Sequence, residues 1–254
     1  MTCILLTNDD GIDAPGLRAL EDVFSTADDL DIWVVAPSAQ RSACSHGMTL
    51  GVPIRVEPRG ERRFCHSGQV ADGVYFALVH LLTARPALVI SGINAGANLA
   101  EDVIYSGTVA GAREAVLRGV PGLAVSLTGD GDFQFAAGST LRIARALMAR
   151  QADHPLCLNV NFPPGPVHGP FLAPAGSRPY APKVTLEPIP GSNGETGYRL
   201  GGPPLRDAVP EPGTDVALIA RGLASMTPLR IDQTSGADLR HPVLASFIGP
   251  SSEG

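Results

Sequence analysis

Five short apolar runs alternating with helix-like stretches predict an α/β fold: a Rossmann-like three-layer sandwich on a mostly parallel sheet. A proline-rich remainder predicts a C-terminal β-rich hairpin extension on that core. The apolar runs are residues 2–7, 31–36, 87–91, 122–127 and 156–160. Strands covered by helices on both faces read as continuous apolar segments of this kind. The stretches between most of them are long enough for right-handed helical crossovers, which give a doubly wound sheet.

The elements follow in order. The run at 2–7 (TCILLT) is the first strand, and Pro15 opens a helix over 15–24 with Leu17, Leu20, Val23 and Phe24 on one face. Residues 31–36 (DIWVVA) form a second strand, stopped by Pro37. A helix is expected over 70–82, a third core strand over 87–91, and a helix over 108–118 with Gly119 as its C-cap. A strand at 122–127, a long helix over 133–150 and a strand at 156–160 complete the series. This divides the chain into a catalytic core, 1–161, and an extension, 162–254. Thirteen of the 23 prolines lie between Pro163 and Pro212, which favours loops and hairpins there. Short β-like pieces are expected at 183–187, 198–200, 216–220 and 223–227, and a final helix at 239–247.

Composition narrows the function. The 254 residues carry a formal net charge of -6, and the densest basic cluster, 59–63, is interrupted by Gly60 and Glu61. Proteins that grip polymeric nucleic acid show a basic stripe, so no such partner is expected. Aromatics at 5% also argue against stacking platforms for single strands. Cys3, Cys44, Cys65 and Cys157 form no CxxC pair and no zinc framework, and Cys3 and Cys157 sit in strand-like runs as small core residues. With no leader-like N-terminus and no apolar stretch of membrane-spanning length, the expected location is the cytoplasm.

Ligands of open parallel sheets bind beyond the carboxyl ends of the strands, so the residues after each strand matter most. After the first comes Asn8-Asp9-Asp10-Gly11. Two adjacent carboxylates there need positive compensation, which a divalent cation supplies; an Asx-turn is the plainer alternative. After the second comes a hydroxyl-rich loop in which Ser42 offers a neutral oxygen, Arg41 faces an anion or an acid, and His46 reads as an ordinary polar loop residue. After the third comes Gly92-Ile93-Asn94-Ala95-Gly96-Ala97-Asn98, where Asn94 offers a carbonyl oxygen and Asn98 an amide. Tyr105-Ser106-Gly107-Thr108 then leads into a helix whose free N–H groups suit an anion, a role compatible with ordinary N-capping. An all-oxygen ligand set suits Mg²⁺ or Mn²⁺ better than zinc.

At these residues the chain resembles the SurE family of survival nucleotidases. The matching stretches are ILLTNDDGIDAPGLRAL, VVAPSAQRSACSHGMTL, LVISGINAGANLAEDVIYSGTVAGAREA and VPGLAVSL, with weaker matches in LNVNFP and GTDVALIARGLASMTPLRID. The resemblance implies metal ligands at Asp9, Asp10, Ser42 and Asn94, and phosphate contacts at Asn98, Ser106, Gly107 and Thr108. It implies one divalent ion per subunit, hydrolysis of nucleoside 5'- and 3'-monophosphates and, as in some members, of short polyphosphate, and a homodimer or homotetramer joined through C-terminal segments. Asp9 and Asp10 are then also the catalytic candidates, either one able to accept a proton from the attacking water. The family's GTPxDCV-like segment departs here to Ser67-Gly68-Gln69-Val70-Ala71-Asp72-Gly73-Val74, and Ser38 stands where an acid is usual. Two rival classes are a haloacid-dehalogenase-like phosphatase with an aspartyl nucleophile and a non-catalytic nucleotide-binding module. A dinucleotide oxidoreductase is not expected, because no GxGxxG follows the first strand.

Overall fold

The computed structural model describes residues 1–149, 153–165, 169–189, 194–205 and 209–236, with 238 and 243. Its strands are β1 (Thr2–Thr7), β2 (Leu30–Pro37), β3 (Val56–Gly60), β4 (Arg63–His66), β5 (Leu88–Ala95), β6 (Gly122–Leu127), β7 (Cys157–Phe162), β8 (Phe171–Leu172), β9 (Val184–Pro188), β10 (Thr196–Leu200) and β11 (Ser225–Leu229). Its helices are α1 (Pro15–Phe24), α2 (Val70–Phe76, continued by a π-helical turn, Ala77–Leu81), α3 (Asp102–Tyr105), α4 (Gly107–Leu117), α5 (Phe133–Met148) and α6 (Asp215–Ala220).

Nine strands form one sheet in the order β3-β4-β2-β1-β5-β6-β7-β11-β8. From β4 through β7 every neighbour is parallel, as the continuous apolar runs require. Side chains alternate between two layers. Ile4, Leu6, Leu88, Ile90, Leu123, Val125, Leu158 and Val160 pack with Leu17, Leu20 and Phe24 of α1 and Ile143 and Ala144 of α5. On the other face Leu5, Val35 and Val89 meet Val74 of α2, Ala77 and Ala115 of α4. The expected α/β sandwich is therefore present, with an antiparallel β9–β10 hairpin standing outside the main sheet.

The chain goes from β1 out to β2 on one side and later returns to place β5 on the other side of β1. The carboxyl ends of β1 and β5 therefore flank the point where strand order reverses, the usual ligand crevice of such sheets.

Three local readings change. Residues 216–220, expected as β-like, are helical, because Thr214 caps the segment by accepting from Ala217 N and Asp215 occupies the first turn. The β3–β4 hairpin was not evident in the apolar pattern, since Arg59, Gly60, Glu61 and Arg63 interrupt it. β5 also runs past Ser91 to Ala95. The helix expected at 239–247 falls almost wholly outside the described residues. From beyond residue 161, β11 pairs antiparallel with β7 and parallel with β8, so the extension adds two strands to the core sheet.

Candidate active site

The site begins with Asn8, whose side chain both accepts from Gly11 N (3.2 Å) and donates to Gly11 O (2.9 Å). The Asx-turn is thus real, and it is Asn8 that makes it. That leaves Asp9 and Asp10 for other work. Asp9 is 4% exposed, and its Oδ1 accepts from the Thr108 hydroxyl at 2.5 Å. Burial pushes its carboxyl up to about 6, against the lowering effect of the Thr108 bond, and neighbouring Asp10 pushes in the same direction as burial. Asp10 is half-buried and accepts from Ala95 N at 3.1 Å, which ties the end of β1 to the residue after Asn94.

The loop after β2 is seated on the same turn, with Arg41 N donating to Asp9 O at 2.7 Å. Ser42 is next in the chain and exposed, and its Oγ accepts from Gln40 Nε2 at 3.0 Å. The Arg41 guanidinium donates to Ser67 O at 2.7 Å, so it anchors the loop to the end of β4. The loop's far side is held by Ser45, which donates to Tyr105 O (2.9 Å) and Ile104 O (2.7 Å). His46 pairs with buried Glu114 at 3.0 Å, consistent with an ordinary polar residue.

Asn94 donates its amide to Gly96 O at 3.0 Å, which leaves Oδ1 as the side-chain atom it can offer a cation. Ser106 caps α4, its Oγ accepting from Val109 N at 3.0 Å. A Cβ at Gly107 would lie 2.8 Å from Asp9 Cβ, 2.9 Å from Asp9 Oδ2 and 2.9 Å from Cys44 Sγ. Only glycine lets the helix start this close to the carboxylate, and the helix N-terminus then faces a negative charge, its favoured partner. The Thr108 hydroxyl has one proton and gives it to Asp9, so in this arrangement it orients that carboxylate rather than facing an anion. Burial and Asp9 both keep the Cys44 thiol protonated, which removes it as a nucleophile.

The residues expected after β1, β2 and β5 and before α4 therefore converge on one sheet edge. Asp9 touches Thr108, Asp10 touches the Asn94 segment, and Ser42 follows directly on the residue bonded to Asp9. Among the described residues no group of three or more His, Cys, Asp or Glu side chains could hold a metal. Any cation here must rest on two carboxylates with neutral oxygens, the set that Asp9, Asp10, Ser42 and Asn94 offer. A buried carboxylate already hydrogen-bonded yet pushed up in pKa fits such a cation, because a nearby positive charge would remove the cost of ionising it.

The family profile described as survival protein SurE matches residues 4–181. The chain belongs to the SurE family. A relative from Anaeromyxobacter sp. (strain Fw109-5), named 5'-nucleotidase SurE, is 42% identical over 98% of this chain and 97% of its own. One of the same name from Moorella thermoacetica is 43% identical over 91% of both chains. The crystal structure of the SurE protein from Aquifex aeolicus superposes with a TM-score of 0.82 at 30% identity, over 96% of this chain and 99% of that one.

The departure from the SurE pattern at 67–74 has a local explanation. His66 is fully buried, and a Cβ at Gly73 would come within 2.2 Å of its Nε2. The imidazole occupies the space a side chain at 73 would need, so with His66 in place this position takes glycine. Asp72 keeps its place, accepting from Gln69 N (2.7 Å) and from Thr49 N (2.9 Å). It thereby pins the end of the Ser42 loop to the start of α2.

Sequence reasoning missed a second set of residues. Asn159 and Asn161 on β7, Ser126 on β6 and Asp215 on α6 are all buried and all bond the segment 98–100. Their signal was available: two asparagines two apart in a strand that otherwise reads as core.

Proposed function

We propose that this chain is a metal-dependent phosphomonoesterase that hydrolyses nucleoside 5'- and 3'-monophosphates, with short polyphosphate as a further substrate, by direct attack of water. The observation that carries the reading is Asp9. It is a buried carboxylate beside a second carboxylate at the strand-order reversal, and the influences that dominate it are burial, Thr108 and Asp10, none of them cationic. A hard divalent ion, Mg²⁺ or Mn²⁺, held by Asp9, Asp10, Ser42 and Asn94 would supply charge neutralisation and Lewis acidity toward phosphate and water. The chain does the rest. Thr108 fixes the rotamer of Asp9, and Ala95 N fixes Asp10. The first N–H groups of α4, with Ser106, Gly107 and Asn98, form the donor surface for phosphate oxygens. Asp9 or Asp10 can accept the proton of the attacking water. The names of the relatives from Anaeromyxobacter and Moorella support the nucleotide substrate. The exposed apolar face of the β9–β10 hairpin supports assembly as a homodimer or homotetramer.

The test is phosphate release from nucleoside 5'- and 3'-monophosphates and tripolyphosphate with Mg²⁺, with Mn²⁺ and with chelator. Release that requires metal is expected. An unchanged rate in excess chelator sinks the metal assignment, and an aspartyl-phosphate trapped on the enzyme replaces direct water attack with a covalent route.

A further inference from the structure

Asparagine is out of place inside a parallel sheet, and β7 carries two. Leu158, Val160 and Phe162 of that strand join the core against α1 and α5, while Cys157, Asn159 and Asn161 face the other side. Both asparagines are fully buried. The hydrogen bonds that their side chains make go to one residue. Asn161 Oδ1 accepts from Asn98 N at 2.9 Å, and Asn161 Nδ2 donates to Asn98 O at 3.0 Å. Asn159 Nδ2 donates to the same carbonyl at 2.7 Å. The orientation of the Asn161 amide is fixed by this pairing, since a flipped amide would set donor against donor and acceptor against acceptor. Ser126, the register neighbour of Asn161 on β6, accepts from Asn98 Nδ2 at 2.8 Å. Two residues on, Ala100 N donates to Asp215 Oδ2 at 2.9 Å, while Asp215 Oδ1 accepts from Gly176 N at 2.7 Å. The turn that carries Asn98 is thus gripped by its backbone from the sheet and from the extension.

We propose that Asn161 is a positioning residue for phosphate recognition: it clamps both peptide groups of Asn98 and so sets where the Asn98 carboxamide meets the substrate. The proposal rests on the phosphomonoesterase reading of the site. A core that needed only packing would be served by an apolar side chain at 161. The bidentate amide instead fixes one backbone in one place and orientation, which is what a donor aimed at a transferring phosphate requires.

A double-mutant cycle on the full chain decides it: wild type, Asn161→Asp, Asn98→Ala and the double variant, each checked for folding by thermal melting. Asn161→Asp keeps the shape and one acceptor but turns the donor facing Asn98 O into an oxygen. KM for adenosine 5'-monophosphate and the inhibition constant of inorganic phosphate should rise about tenfold or more. The Mn²⁺ concentration for half-activation should stay within about twofold, and the substitution should add less than about twofold once Asn98 is alanine. An unchanged phosphate inhibition constant, or the same penalty in both backgrounds, overturns the proposal. Ser126→Ala, a smaller change that releases Asn98 Nδ2, must act in the same direction and serves if Asn161→Asp does not fold. If wild type releases no phosphate from any nucleotide, the enzymatic reading fails. The cycle is then run on inorganic phosphate binding with Mn²⁺ by calorimetry. There, weaker binding by Asn161→Asp alone upholds the clamp, and no binding to wild type ends it.

Discussion

The two ends of this chain solve opposite problems. In the parallel core the sheet is covered on both faces, and the polar groups around the site are tied down: Asn8 to Gly11, Asp9 to Thr108, Asn161 to Asn98. In the β9–β10 hairpin the polar side chains are paired and the apolar ones are not covered. Arg199 bonds Glu187 on one face, while on the other Val184, Leu186, Tyr198 and Leu200 are 61%, 61%, 75% and 78% exposed. A two-stranded hairpin has too little core to stand on its own merits in water. The lesson is that the core buries its apolar side chains within one chain, whereas the hairpin leaves one apolar face exposed.

The comparison predicts severe effects in the core. Asp9→Asn should cut metal-dependent turnover by at least about a hundredfold, because it removes the buried charge around which the site is built. The melting profile should remain cooperative, since Asn keeps the shape and can still accept from Thr108; turnover like wild type would refute the assignment of Asp9. His66 gives the next largest effect. Burial lowers its pKa to about 4, with Asp72 opposing and Arg41 assisting. The unfolded chain takes up that proton near pH 6.5, the folded chain only near 4, so acidification through this window favours unfolding. The contribution is present above pH 6.5 and lost on the way to about 4, amounting to about 3 kcal/mol in all. Urea unfolding of wild type and His66→Phe between pH 7 and 4 should show this slope only in the wild type; parallel curves would mean the imidazole is not so desolvated. Gly73→Ala comes third. Its methyl collides with the His66 ring, at a cost of about 1–3 kcal/mol for overpacking. In a His66→Ala background the collision is gone and the change should stabilise by up to about 1 kcal/mol, since alanine is the better helix former. A penalty of the same sign in both backgrounds would separate His66 from Gly73.

How much was legible follows the same division. β1, β2, β5, β6 and β7 were visible because a strand covered on both faces must be apolar throughout, and their carboxyl ends pointed to Asp9, Asp10, Asn94 and the start of α4. Residues 216–220 misled because Val216, Ala217, Leu218 and Ile219 suit a strand as well as a helix, and the deciding bond, Thr214 Oγ1 to Ala217 N, lies in the cap. The β3–β4 hairpin was hidden because β3 carries charged side chains and lies at the edge of the sheet, paired there with β4. The second set of residues was only half legible: two asparagines in an apolar strand were a signal, but not of what they hold. Asn161 and Asp215 act on residues 63 and 115 positions away, and no local pattern encodes a backbone clamp across that distance. Thr108 illustrates the same limit: its residue type suggested a phosphate donor, but only the fold shows its proton given to Asp9.

The smallest expected change in stability lies in the hairpin, and there it is the most informative. Tyr198 stands opposite Leu186 and Leu200 opposite Val184, so the four form one continuous apolar patch on the side away from Arg199 and Glu187. Replacing Tyr198 and Leu200 together by threonine puts a β-branched residue at each position and so keeps the local strand preference. If the patch faces only water, the double variant should change the unfolding free energy of the single chain by no more than about 0.5 kcal/mol, the usual range for surface substitutions. If the patch is the surface on which a second chain docks, the solution mass measured by sedimentation should fall from that of an assembly to that of one chain. Stability and mass must therefore separate: a fall in mass without loss of the folded chain makes the hairpin an assembly device. An unchanged mass assigns the contact to another surface, and a collapse of the single chain would place the hairpin within the core's own packing.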